Sequence, residues 1–217
     1  STLAGPAHSR EVVERGASVV LASGCADLRR QLSEVLEAGG LAVQSTDDVT
    51  GTELAACAKN AAALASAAAV ARGANLAGAA AGKVFSEVHA LALASGGRSE
   101  TFAGLAGTGD LIATALAPAS RNRRAGELVG QGYTSRQVEA AVGQTAESLC
   151  TVPLLDQACA RRGIEAPVTA GLKRVLEGEI RAEEWLESVR SVPTSGDRSK
   201  AQAGPSQRAL GNRLDRA

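Results

Sequence analysis

The stretch Val49–Arg72, VTGTELAACAKNAAALASAAAVAR, decides how the rest of the chain is read. Alanine is the strongest helix former, so the run predicts one long helix needing little outside support. Asp47, Asp48 and Thr50 each offer an oxygen that could cap its first amides. A helix apolar all round belongs in a core. Two polar residues, Lys59 and Asn60, stand at its centre. Lysine is almost never fully buried without a partner. Lys59 therefore either snorkels, its stem on apolar surface and its ammonium in water, or sits at the floor of a site as a proton donor.

Composition narrows the setting. Of 217 residues 45% are hydrophobic but only 2% aromatic, so the core must be Ala, Val and Leu, which suits closely packed helices. Formal net charge is zero with no basic stripe, which argues against a nucleic-acid partner. The apolar segment Ala61 to Val70 contains Ser66 and is shorter than the roughly 18 residues of a membrane span, so no span is expected. No signal peptide is visible. Cys25, Cys57, Cys150 and Cys159 form no CxxC pair, and with His8 and His89 show no zinc-ligand spacing, so no metal is expected. Cys150 and Cys159 would point about 180° apart on one helix. All four read as buried, reduced thiols. The chain begins at Ser1 and contains no methionine, which reads as a piece of something longer.

Residues 1–46 read as α/β. Gly16 to Ser23, GASVVLAS, and Leu41 to Thr46, LAVQST, are Val-rich strand candidates. Ala26 to Ala38 between them puts Leu28, Leu32, Val35 and Leu36 on one helical face, and Gly39–Gly40 ends it. Strand–helix–strand suits the last part of a doubly wound sheet. From Val49 to about Ser191 only helices are expected. The second, Leu76 to Ala94, should be broken by Gly78 and Gly82, and SGGRSET should be a loop. Asp110 falls in the first turn of a helix after Gly109. Ser120 caps a helix ended by Gly132, and Thr134 caps the next. Glu147 to Arg162 follows, closed by Gly163; Pro167 opens another; Ala182 to Arg190 carries the only tryptophan, Trp185. From Val192 the composition turns to Pro, Ser, Gly, Gln and Arg and predicts a disordered tail.

Few motifs speak alone. GTGDLI holds two glycines of a dinucleotide fingerprint but follows a helical stretch; a plain glycine turn and an anion-accepting helix start are both open. SRNRR, Ser120 to Arg124, is either a solvated charged turn or a phosphate grip at a helix start, since arginine forks match phosphate oxygens. Asp110 and Thr114, four apart, share a helix face; a carboxylate there could hold Lys59 or accept from a substrate hydroxyl.

Taken together in order and spacing, GTELAACAKN, ETFAGLAGTGDLIAT, SRNRRAGELVGQG and VGQTAES resemble the substrate half of bacterial NAD(P)-dependent glycerol-3-phosphate dehydrogenase, and LAGPAHSREV resembles that family's early G-P segment. The resemblance covers about residues 3–190. It implies an all-helical domain like the C-terminal domain of 6-phosphogluconate dehydrogenase (48–191), preceded by the end of a Rossmann-type α/β domain (1–47) and followed by the tail (192–217). It implies NAD or NADP as cofactor, dihydroxyacetone phosphate and sn-glycerol 3-phosphate as ligands, a homodimer, and a cytoplasmic role in phospholipid precursor synthesis. By the same resemblance Lys59 is the catalytic proton donor. Gly5, Asn60, Asp110, Thr114, Ser120, Arg121 and Asn122 join it around the substrate, while Ser9, Arg121, Thr145 and Glu147 contact the cofactor.

The departures are specific. Ala7 stands where the family has Ser or Thr, Ser9 where it has Ala, His8 for a usual Phe, Thr145 for a usual Val, and Lys83 for a common Arg. The sequence holds neither the family's GxGxxG nor its second substrate lysine. A second reading is therefore kept, a non-catalytic helical module that pairs with another chain.

Overall fold

The computed structural model describes residues 1–117 and 120–191; the side chains of Ser9 and Arg10 also lie outside what it describes. The expected tail, 192–217, falls outside the described residues. The architecture is mainly helical with one small sheet, the fold class read from the sequence.

The chain opens with β1 (Thr2–Ala4), α1 (Ser9–Arg15), β2 (Ala17–Ala22), α2 (Ala26–Ala38) and β3 (Leu41–Thr46). β2 and β3 pair in parallel from Ala17 opposite Leu41 to Ala22 opposite Thr46, as a strand–helix–strand unit requires. β1 pairs antiparallel with the other edge of β2, Thr2 opposite Ala22. The sequence reading gave neither β1 nor α1, because three residues are too few to show alternation. Just after β1, Gly5 has φ +120°, and a Cβ there would lie 3.1 Å from the Ser18 carbonyl oxygen. α2 buries no residue, and Leu28 and Val35 of its apolar face are exposed.

The central run forms α3 (Val49–Ala69), extended by a 3-10 turn (Val70–Arg72). Of the three candidate caps Asp48 is used, accepting from the Gly51 amide at 2.8 Å. By length and composition Val49–Arg72 could cross a membrane, contrary to the sequence reading, but 56% of that window is buried inside the molecule.

Two expectations need correction. α4 (Ala74–Ala94) runs unbroken through Gly78 and Gly82. Both glycines are exposed with open space beside them, and each costs the helix only about 1 kcal/mol relative to alanine, too little to break it. SGGRSET is not all loop, since Ser99–Ala103 forms the short helix α5. A π-helical turn (Leu105–Gly109) then leads into α6 (Asp110–Leu116). Next come α7 (Arg121–Gly130) and α8 (Ser135–Val142), α9 (Glu147–Arg161), α10 (Pro167–Glu177) and α11 (Ala182–Ser191), close to the expected bounds. α4, α5, α6, α7 and α9 all pack against α3. Among the described residues no strand follows β3.

Small residues let these helices touch. A Cβ at Gly126 of α7 would lie 2.3 Å from the Leu64 carbonyl oxygen of α3, and one at Gly130 would lie 2.5 Å from that of Ala68. Four apart, the two glycines form a smooth face on which α3 and α7 meet backbone to backbone. Trp185 of α11 is fully buried over Gly171 of α10 and donates its indole N–H to the Val168 carbonyl at 3.0 Å. The thiols divide, against the expectation that all are buried. Cys159 is buried and Cys57 half-buried, and burial raises both, Cys159 to about 11; Cys25 and Cys150 are exposed.

Candidate functional site

Lys59 lies in the third turn of α3 with its side chain 21% exposed, and its ammonium sits 2.8 Å from Asp110 Oδ2. The lysine does not snorkel freely; it is held by a carboxylate whose side chain is only 4% exposed. Asp110 is the first residue of α6 and continues directly from the π-helical turn Leu105–Gly109. The π-helical turn before it is tightly folded. A Cβ at Gly107 would lie 2.2 Å from the Phe102 carbonyl oxygen, and the Thr108 hydroxyl donates to that same oxygen at 3.0 Å. Phe102 is buried against the rings of Phe85 and His89, with centroids 5.3 Å and 4.9 Å away. Asp110 is thereby aimed from a fixed base. Thr114, one turn on and also buried, places its hydroxyl 3.5 Å from Asp110 Oδ1, at the limit of a hydrogen bond.

The second wall comes from α7. Ser120 caps that helix, its hydroxyl accepting from the Arg123 amide at 3.3 Å. The Gly126–Gly130 face seats α7 on α3 and so carries the buried Asn122 to Asn60, to which it donates at 2.9 Å. Asn122 in turn accepts from the backbone amide of Ser148, in the first turn of α9, at 3.1 Å. On the outer side Arg121 pairs with Glu147 at 2.5 Å, both side chains about half exposed. Arg123 pairs with Glu127 of its own helix at 3.1 Å.

The structure thus joins Lys59, Asp110 and Thr114 in one contact set, Asn60 and Asn122 in a second beside it, and Arg121 and Glu147 in a third. Among the described residues no hydrogen bond or ion pair joins Gly5 or Thr145 to these sets. Gly5 lies against the backbone of β2, and Thr145 is exposed in the segment before α9. Ser9 begins α1, and its side chain is outside the described residues. The sequence reading missed Ser148 and the Gly126–Gly130 face. Two glycines four apart opposite an alanine-rich helix were a usable signal for the second. Nothing in the sequence marks a backbone amide as a partner. Among the described residues no group of His, Cys, Asp and Glu is placed to hold a metal.

Lys59 keeps ammonium hydrogens beyond the one facing Asp110, and Asn60 keeps its unpaired amide end. Each group is a hydrogen-bond donor that can meet a ligand oxygen. For a dinucleotide the fit is partial. Arg121 and Glu147 stand at the rim and could touch one, but the described residues contain no glycine-rich strand-to-helix turn that would cradle its pyrophosphate.

Residues 48–187 match the family model described as NAD-dependent glycerol-3-phosphate dehydrogenase C-terminus. Curated relatives include the glycerol-3-phosphate dehydrogenase [NAD(P)+] of Variovorax paradoxus, 35% identical over 190 residues, and that of Leuconostoc mesenteroides, 36% identical over 182. These alignments cover 86% and 81% of this chain but 56% and 54% of the relatives, so the chain spans about half their length. Among solved structures, glycerol-3-phosphate dehydrogenase from Coxiella burnetii superposes with a TM-score of 0.81 at 30% identity, over 88% of this chain and 59% of that one. The enzyme of Dunaliella salina, at 21% identity and a TM-score of 0.76, shares the fold. This chain belongs to the NAD-dependent glycerol-3-phosphate dehydrogenase family and corresponds to its C-terminal part.

Proposed function

We propose that this chain is the substrate-binding part of an NAD(P)-dependent glycerol-3-phosphate dehydrogenase, acting on dihydroxyacetone phosphate and sn-glycerol 3-phosphate. The observation that carries this reading is the 2.8 Å pair between Lys59 and the buried Asp110 in the middle of an otherwise apolar helix packing. The names of the relatives support the substrate and the use of NAD or NADP. In this reading residues 1–47 are the end of a nucleotide-binding α/β domain and 48–191 the substrate-binding domain, in a cytoplasmic homodimer that does not span the membrane.

Each side chain then has a part. Lys59 gives a proton to the C2 oxygen when the carbonyl is reduced, and takes it back in the reverse direction. A positioned general acid of this kind contributes about 10²–10⁴-fold in rate. Asp110 holds Lys59 in place, and Thr114 steadies Asp110. Asn60, Asn122 and the N-terminal turn of α7 with Ser120 and Arg121 bind the ligand's oxygens, the phosphate among them. When bound, the nicotinamide cofactor supplies or accepts the hydride, and Arg121, Glu147, Ser9 and Thr145 would lie toward it, with Gly5 on the substrate side.

Residues 1–217 alone should oxidise no NADH or NADPH with dihydroxyacetone phosphate, since they hold no dinucleotide turn and hydride transfer needs reacting atoms held at about 3–3.5 Å. The same residues joined to the nucleotide-binding half of a relative should do so. Turnover by residues 1–217 alone would contradict the assignment of parts. An inactive joined chain that is fully folded would favour the alternative, a non-catalytic helical module.

A further inference from the structure

α5, the π-helical turn and α6 follow one another in sequence, and all three pack on α3. This piece is fastened to α3 at both ends. At one end stands the Lys59–Asp110 pair, at 2.8 Å. At the other stands Asp48, the buried cap of α3. One oxygen of its carboxylate accepts from the Gly51 amide of α3 at 2.8 Å. The second oxygen accepts from the Thr101 hydroxyl of α5 at 2.6 Å and from the Arg98 amide, just before α5, at 2.9 Å. All three partners donate, which suits an ionised carboxylate. Glycines let the two segments come this close: a Cβ at Gly97 would lie 2.9 Å from the Gly51 Cα. Along the axis of α3 the two fastenings lie about 16 Å apart.

Between the fastenings the piece has little slack. Phe102, next after Thr101, is buried, and its carbonyl accepts from the Thr108 hydroxyl at 3.0 Å. The Gly109 amide donates to the Gly104 carbonyl at 3.1 Å, and Asp110 follows at once. A shift at Thr101 is therefore passed along a braced backbone to Asp110. The hydrogen bond between a carboxylate and an ammonium depends steeply on distance and angle. We infer that Asp48 is a positioning residue for Lys59: by holding Thr101 it fixes where the bridge 101–110 begins, and so where Asp110 meets the Lys59 ammonium. Thr101 is the second positioning residue, and neither needs to touch substrate. The placing of Asp110 stands on the contacts alone; its value for proton transfer rests on the function proposed above.

Two substitutions separate the bridge from the cap. Thr101→Val removes the hydroxyl but leaves Asp48 its bond to Gly51, and Thr101→Ser keeps the hydroxyl. The positioning is read without ligand, by exchange of the Lys59 ammonium hydrogens in isotope-labelled residues 1–217. They should exchange about threefold faster or more in Thr101→Val, and at the unaltered rate in Thr101→Ser. Equal rates in a folded Thr101→Val chain would overturn the positioning. Its consequence is read as kcat for dihydroxyacetone phosphate reduction by the same residues joined to the nucleotide-binding half of a relative. Thr101→Val should lower kcat about 3–10-fold with KM nearly unchanged, because the proton is given only in the transition state, and Thr101→Ser should restore it. In a Lys59→Ala chain the same Thr101→Val change should lower kcat no further, since the residue it acts through is gone. A merely structural role would lower kcat in both backgrounds, and that result would overturn the inference. A joined chain that is folded but inactive would sink the function proposed above, and the exchange rates would then decide the positioning by themselves.

Discussion

The helices from α3 onward and the three-stranded piece before them spend their apolar residues differently. In the helical part, alanine and glycine are used to bring backbones together: Ala61, Ala65 and Ala68 of α3 are buried, and Gly126 and Gly130 of α7 leave no room for a Cβ. In the α/β piece the inner residues of β2, Val19 to Ala22, are buried, but α2 buries nothing and leaves Leu28 and Val35 exposed. Close packing of small side chains gives the helical part its own core, and with it a rigid frame for Lys59, Asp110 and Asn122. The α/β piece contributes a sheet edge and a joint, not a second core. Asp48 is that joint. It follows β3, caps α3, and also accepts from the Arg98 amide at 2.9 Å and the Thr101 hydroxyl at 2.6 Å.

The largest break in this contrast should come from the largest buried side chain. Trp185→Ala removes a fully buried indole and its hydrogen bond to Val168, and should cost about 3–5 kcal/mol in urea unfolding. A loss under about 1 kcal/mol would mean that α11 is not part of the helical core. Glycines then sharpen the contrast by sign. Gly126→Ala must push α7 away from α3 and should destabilise by about 1–3 kcal/mol. Gly78→Ala, on the open face of α4, should stabilise by about 0.5–1 kcal/mol. If both shift stability the same way, the backbone-to-backbone contact of α3 and α7 is wrong.

Much of this was legible beforehand. α2 and β3 begin and end where the sequence placed them, because alternation and glycine punctuation agree there. The helix starts at Ser120 and Pro167 were legible because capping chemistry is local. Lys59 stood out because a lysine in an alanine helix has few explanations, and its partner Asp110 lay in a short list of candidates. What stayed hidden depends on partners distant in sequence. The break expected at Gly78 and Gly82 ignored that an amphipathic helix held by its buried face tolerates glycine on the other. The π-helical turn that aims Asp110, the Asn122–Asn60 contact and the Ser148 amide all arise from packing between helices, and carry no local pattern.

The joint should show itself through pH. Burial pushes the Asp48 carboxyl up, but the hydrogen bonds from Thr101, Gly51 and Arg98 outweigh it and hold the group below its ordinary 3.8. A depressed folded-state pKa gives stability that is present above the unfolded value and lost as pH falls through the folded one. Stability should therefore drop below about pH 4. Asp48→Asn should flatten that part of the profile, and Asp48→Ala should cost about 0.5–2 kcal/mol as a lost cap. An unchanged acid limb in a folded Asp48→Asn chain would remove Asp48 from this role. At the small end, Val35→Ser on the exposed face of α2 should change stability by no more than about 0.5 kcal/mol in the chain alone. A loss of 2 kcal/mol would show that α2 is covered after all.

The account turns on Lys59 being a held proton donor and not a structural ion pair. The direct measurement is kcat for dihydroxyacetone phosphate reduction by residues 1–217 joined to a nucleotide-binding half, with Lys59 intact and as Lys59→Ala, each confirmed folded by its thermal transition. The account predicts a fall in kcat of about 10²–10⁴-fold for Lys59→Ala. A folded Lys59→Ala chain within tenfold of the unaltered rate would contradict it.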